Sequence, residues 1–365
     1  ACIAVPVGQA VPDVGLEANC KSTYSGVPKP EGLIQEYANA LRFGAFGYLN
    51  ESGNTRSGGV LRSAMKSVGA NAATASGITA NTAKEWNETT GIMISNPDTT
   101  DATDSGVGNS GLMNYLNKFG FAAGYKGNDP VGEMYYAAQL YLRGKAPPVS
   151  YADSLTTAGK DGFPVITGSN LLAGGSRDPM INTCQKNFIL GIGDIYTHCD
   201  GNLPGSTSSA CTGGTPTDPD GLNVDTLWQS VASLEGISGV VAGTGKAWVG
   251  GSSNGTPYMA GLAYWANTND IRTDLNGTQN ISTYWVDVLE NNANNVAAAS
   301  LWKTQFWLAA KYGGFKHTSL VTGNNPNTDP DSWNQKVPAT TGVRDGIPDT
   351  WFAGSNPAAL KAGLS

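Results

Sequence analysis

The stretch KNFILGIGDIYTHCDGN, residues 186–202, decides how this chain is read. Phe188, Ile189, Leu190 and Ile192, with Gly191 and Gly193 between them, form a short continuous apolar run. Such a run predicts a buried strand over 187–193 rather than a half-exposed one, which would alternate. The run stops at Asp194. A carboxylate at the end of an apolar strand is costly to bury unless something pairs with it. Asp194 is therefore a metal ligand, a catalytic group or a loop-capping residue.

Outward from this strand, helical and extended patterns alternate. From Glu31, Leu33, Ile34, Tyr37 and Leu41 fall on one helical face. Residues 42–49 (RFGAFGYL) and 60–62 (VLR), joined by Gly-rich sequence, predict a hairpin. In 127–143, Asp129 stands at a helix N-cap and Pro130 at the first helical position. Val131, Met134, Tyr135, Ala138 and Leu142 then make an apolar stripe. Helices are predicted at 224–235 and from Thr256-Pro257 through Trp265. A strand is predicted at 281–289, and a helix in ASLWKTQFWLAAKYGG that stops at Gly313. Residues 1–30 read as irregular, 69–110 and 200–222 as loop insertions, and 316–365 as an extension. Strands alternating with helices predict a single α/β domain over 1–365, with a mainly parallel sheet covered on both faces.

Composition narrows the function. The chain has 365 residues, of which 40% are hydrophobic and 14% charged, with 48 Gly and a net charge of −7. Soluble domains carry roughly 25% charged residues, so this surface is neutral and hydroxyl-rich, as suits an extracellular protein. No Lys/Arg cluster points to nucleic acid, and no ~20-residue apolar run predicts a membrane span. The chain opens on Ala1-Cys2-Ile3 without Met, as a processed or excised segment would. The five cysteines make no CxxC pair. Cys2 with Cys20, and Cys199 with Cys211, would each close a short loop as a disulfide. That leaves Cys184, a thiol or the partner of a cysteine elsewhere.

An ordered set of motifs carries a resemblance. It comprises GLIQEYANALRFGAFGYLN, GGVLRSAMKSVG, EWNETTGIMISNPD, NYLNKFG, DPVGEMYYAAQLYLR, GFPVITGSN, CQKNFILGIGDIYTH with NLPG, and LWKTQFWLAAKYGGF with DGIPDTWFAGSNPAAL. Together they resemble the PilC/PilY-type tip-associated adhesins of bacterial type IV pili, in their von Willebrand factor A-like part. The resemblance runs from about Gly32 to the end. It implies an α/β, von Willebrand A-like (Rossmann-like) fold, without the C-terminal β-propeller toward which 316–365 would lead. It also implies a secreted adhesin and assembly factor at the pilus tip of a Gram-negative bacterium, with pilin subunits and a host or abiotic surface as partners.

The same resemblance implies an adhesion-type Mg²⁺ site built from a DxSxS loop, a Thr and an Asp after the fourth strand. Asp194 matches the third element. Asn128 and Asp129 stand where the Thr would be, and DxSxS is absent. With its first strand lacking, such a sheet would keep an open slot for an upstream segment or another polypeptide. Asp329, Asp331, Asp345 and Asp349 could supply oxygens to Ca²⁺, although DxDxDG spacing is missing. His198 near Asp194 invites a hydrolase reading, but no Ser elbow or HExxH accompanies it, so the expectation is binding and not catalysis. The rival reading is a purely structural assembly component. Trp285, Trp302 and Trp307 sit in apolar segments and read as core.

Overall fold

The structure, a computed structural model, describes residues 31–49, 57–120, 124, 127–193, 197–208, 214–237, 255–289, 304–335 and 344–354, and the backbone of 22–24 and 27–29. Asp194, Trp302, Cys2, Cys20 and Cys211 lie outside the described residues. The chain divides into two compact units, one of residues 1–45, 61–122 and 160–166, the other of 46–60, 123–159 and 167–365.

In the first unit β1 (Ser22–Tyr24) and β2 (Val27–Lys29) pair antiparallel. Helix α1 (Leu33–Glu36) is one turn, where the sequence predicted a longer helix. So short a helix has too few internal hydrogen bonds to sustain itself, and Tyr37 and Leu41 are left exposed. Strands β3 (Phe43–Gly47) and β4 (Val60–Lys66) pair as predicted, and the unit boundaries fall within them.

The stretch read as loop over 69–110 carries local structure. It holds an antiparallel hairpin, β5 (Asn71–Thr74) with β6 (Gly77–Ala80), and helix α2 (Thr99–Ser105). The polar TTDATDS composition hid α2. Its stop signal is Gly106, left-handed at φ 62°, and its buried side chains include Ala102. Helix α3 (Leu112–Lys118) follows, and its first turn is held by buried Glu85. That carboxylate accepts the N–H groups of Leu112 (2.8 Å) and Met113 (2.7 Å) and lies 3.1 Å from Lys66 Nζ. Ala38, Val68, Trp86, Leu112, Tyr115 and Phe163 belong to this unit's core.

The second unit is built on α4 (Val131–Leu142), the turn α5 (Thr157–Lys160, whose last residue clusters with the first unit), β7 (Asn187–Gly193), α6 (Val224–Glu235), α7 (Tyr258–Thr268), β8 (Ile281–Asp287), α8 (Gln305–Gly314) and β9 (Trp351–Ala353). Strands β7, β8 and β9 form one sheet in that order, parallel throughout, with Gly191 opposite Trp285 and Trp285 opposite Trp351. One face of the sheet carries the core. Trp285 stacks on Phe306 of α8 at 4.1 Å between ring centroids, and Tyr135 of α4 meets Thr283 of β8 through their hydroxyls at 2.7 Å. Trp228, Met259, Leu262 and Leu308 join them. Trp285 and Trp307 are core residues, as the sequence suggested.

Gly191 is dictated by this packing. A Cβ there would stand 2.0 Å from the Trp285 ring. Gly191→Ala should therefore overpack the site and cost about 1–3 kcal/mol, read as a lower urea midpoint of tryptophan fluorescence. An unchanged midpoint would refute the contact.

The opposite face differs from the expectation of burial on both sides. Phe188, Leu190 and Ile192 point to it and are 43%, 51% and 53% exposed. The apolar run forms the strand as predicted, but β7 is an edge strand with one face open among the described residues.

Candidate functional site

The N-terminus of α4 and the segment after β7 meet in one cluster of charged and hydrogen-bonding groups. Helix α4 begins at Val131, with Pro130 as its N-cap and no side chain capping it. Its first-turn N–H groups, which have no partner within the helix, and its axial dipole favour negative charge. Asp200, fully buried, brings a carboxyl group there from outside the helix. Its Oδ1 accepts the N–H of Gly132 at 2.9 Å, and its Oδ2 accepts the hydroxyl of Thr197 at 2.7 Å. Gln305 Nε2 in turn donates to Thr197 Oγ1 at 2.5 Å, and Thr256 Oγ1 donates to the Asp200 carbonyl at 3.2 Å. Burial raises the Asp200 pKa to about 7, against the hydrogen bonds from Thr197 and Gly132, while the nearby Asp129 charge adds to the rise.

Asp129 was expected to cap the helix. Its side chain turns instead to His198, with Oδ1 2.6 Å from Nδ1, and its carbonyl accepts the His198 N–H at 3.3 Å. Both side chains are about a quarter exposed, at 25% and 26%. The pair the sequence treated separately is thus one contact. It ties the start of α4 to the chain leaving β7.

Glu133 completes the cluster. It is fully buried, and its two oxygens accept the N–H groups of Gly58 (2.8 Å) and Asn202 (2.7 Å). Tyr151 donates its hydroxyl to the Asn202 carbonyl at 2.6 Å. One carboxylate therefore joins α4 to two loops. Glu133→Gln keeps the shape but replaces an acceptor oxygen with a donor, so one buried N–H loses its partner. A loss of about 2 kcal/mol is expected, measured by urea unfolding. A loss below about 0.5 kcal/mol would show that these N–H groups find other partners.

Neither Asp200 nor Glu133 was singled out from the sequence. Asp200 hid in a Cys-Asp-Gly turn. Glu133 carried a signal, because VGEMYYAAQLYL contains a single charge and a helix apolar on all sides is a buried one.

The other candidate residues lie elsewhere in the second unit. Asp329 accepts the Thr318 hydroxyl (2.5 Å) and the Asp331 N–H (3.1 Å), and Asp331 pairs with Arg344. Asp345 accepts the N–H of Ile347 and Asp349 that of Gln335, each at 2.9 Å. Cys199 is disulfide-bonded and Cys184 is an exposed free thiol.

Among the described residues no group of three or more His, Cys, Asp or Glu is arranged to hold a metal ion. The Asp129 oxygen faces His198, and Asp200 and Glu133 accept protein donors. Asp194, the other residue of the expected adhesion-type site, lies outside the described residues. The chemistry of Asp129, Asp200 and Glu133 is that of a latch, in which three acidic side chains hold the helix start and the loops around it.

A second charged cluster anchors the far end of α4. Arg143, buried, donates from Nη1 and Nη2 to the two oxygens of Asp218, at 2.8 and 2.9 Å, and from Nη2 to Asp220 at 2.6 Å. Tyr136 donates to Asp218 at 2.7 Å. A groove of about 730 Å³ lies beside it, lined by Leu140, Pro147, Pro148, Leu172 and Pro216 among others.

The family described as PilY1 homolog, second domain, matches this chain over residues 46–261. A type IV pilus biogenesis factor PilY1 homolog of Xylella fastidiosa is 38% identical over 330 residues, covering 83% of this chain and 26% of that protein. The chain thus spans about a quarter of that relative's length. No solved structure matches. Among the described residues no helix is long and apolar enough to cross a membrane.

Proposed function

The chain belongs to the family of PilY1 homologs, whose second domain it matches, and from that premise we propose that it serves type IV pilus biogenesis. The observation that carries this reading is the 38% identity over 330 residues to a factor of that name. In this reading the chain is the part of a secreted pilus-tip protein that contacts pilin subunits and a host or abiotic surface. It binds and does not catalyse. Its parallel β7–β8–β9 sheet reads as part of a von Willebrand A-like domain, with the latch around Asp129, Glu133 and Asp200 fixing the loops beside the sheet. The low charge and abundant Gly of the sequence support an extracellular setting.

The test uses the full-length protein in a piliated bacterium. Residues 46–261 are deleted, and pilus number, counted by electron microscopy, is scored separately from attachment. Loss of both supports a part in assembly. Loss of attachment with normal pili supports adhesion alone, and loss of pili restored by blocking retraction supports the structural rival. Normal pili and normal attachment would sink the proposal.

A further inference from the structure

The paired lysine of the first unit plays no part in the pilus reading. Lys66 ends β4, and its Nζ lies 2.7 Å from Asp98 Oδ2 and 3.1 Å from Glu85 Oε1. The Lys66 and Asp98 side chains are only 17% and 15% exposed, and that of Glu85 is fully buried. Each group is fixed by bonds of its own. Lys66 Nζ also donates to the Ala83 carbonyl at 3.0 Å. Asp98 is the N-cap residue of α2, yet its side chain makes no capping bond and turns to Lys66 instead. Its N–H donates to Ser110 Oγ at 2.8 Å, which anchors the backbone there. Glu85 is held by the Leu112 and Met113 N–H groups at the start of α3.

An amine, a carboxyl carbon and a second carboxylate in mutual contact are the parts of an amide condensation. Reacting groups held about 3–3.5 Å apart gain effective molarities of about 10⁵–10⁸ M. Burial favours the product as well, because two ions withdrawn from water pay for their lost hydration and an amide carries no charge. We infer that Lys66 and Asp98 are joined by an isopeptide bond, formed with Glu85 as general base. Glu85 takes a proton from the Lys66 ammonium, and the freed Nζ attacks Asp98 Cγ. The N–C bond forms, and one Asp98 oxygen leaves as water with the proton returned by Glu85 and a second from Nζ. Ammonium and carboxylate thus become amide and water, Glu85 is regenerated, and no other reactant is consumed. The bond ties the end of β4 to the start of α2 across 32 residues of sequence that include the β5–β6 hairpin. This inference rests on the first unit alone and stands whether or not the pilus reading holds.

The experiment purifies the full-length protein from its native host, denatures and reduces it, and digests it after glutamate. Cleavage at Glu51, Glu85, Glu88 and Glu133 separates the Lys66 peptide, 52–85, from the Asp98 peptide, 89–133. The expected result is one branched species, lighter by one water than the two peptides together, whose fragments place the junction at Lys66 and Asp98. Lys66→Arg keeps the cation and removes the nucleophile, so its peptides should separate. Glu85→Gln should lower the branched yield at least about tenfold. Two separate peptides with unmodified Lys66 and Asp98 in the wild type would overturn the inference and leave an ordinary ion pair, and this digest needs no variant to fold. A junction between other residues, a branched species that persists in Lys66→Arg, or equal yields with and without Glu85 would overturn it too.

Discussion

Replacing Asp218 with alanine is expected to lower the stability of the second unit by about 3 kcal/mol. Removing one partner of a buried ion pair costs about 3–5 kcal/mol, because the other charge stays buried without compensation. Arg143 is that charge, and it contacts both Asp218 oxygens. Burial by itself pushes the Asp218 carboxyl up, but Arg143 and the Tyr136 hydroxyl hold it below the usual carboxylate range. Asp218 also accepts the N–H groups of Asp220 and Leu222, so the alanine loses a loop anchor as well. The loss sits at the low end of the range because Asp220 still faces Arg143 at 2.6 Å. Asp220 is 38% exposed, and Asp220→Ala should cost under about 1 kcal/mol. Urea unfolding followed by tryptophan fluorescence reads this unit through Trp228, Trp285 and Trp307. Equal losses in the two variants would contradict the assignment of Asp218 as the buried partner.

The second large effect is a dependence on pH. Asp200 titrates near 7 in the folded chain, raised by burial, against about 3.9 for an unfolded aspartate. Between those values the folded state holds a proton that the unfolded state has lost. Stability from this group is therefore complete below about pH 4 and falls as pH rises through 7. At about 1.4 kcal/mol per pKa unit the group contributes up to about 4 kcal/mol of that fall. Asp200→Asn imitates the protonated form, and its carbonyl can still accept the Gly132 N–H. The variant should show a flatter stability profile between pH 4 and 7 and be more stable than the wild type at pH 8. Parallel profiles for the two proteins would show that Asp200 is ionised when folded, held by Gly132 and Thr197.

These residues also mark how far the sequence could be read. Strand β7 spans the predicted 187–193, because seven uncharged and mostly apolar residues end at Asp194. Helix α6 spans the predicted 224–235 because its ends are written locally. Asn223 accepts the Thr226 N–H at one end, and Gly236 turns left-handed at the other. Helix α2 escaped notice because its few apolar side chains gave no periodic signal, and its folding depends on what Ala102 is buried against. Asp129 reads as a cap from its position before Pro130, yet its side chain meets His198, 69 residues away.

The sequence by itself determined the family, the alternation of strands and helices, and the positions of the elements with strong apolar runs or caps. Those properties depend on neighbours within a few residues, so periodicity and capping chemistry encode them. Tertiary structure alone decided that among the described residues β7 is an edge with its apolar face open, and that Asp200 accepts the Gly132 N–H at the start of α4. An apolar run states that a strand seeks cover on both faces, not whether a packed segment is present to give it. A buried carboxylate likewise takes its role from donors brought together by folding, here Gly132 and Thr197 on segments separated by most of the helix, loop and strand between them.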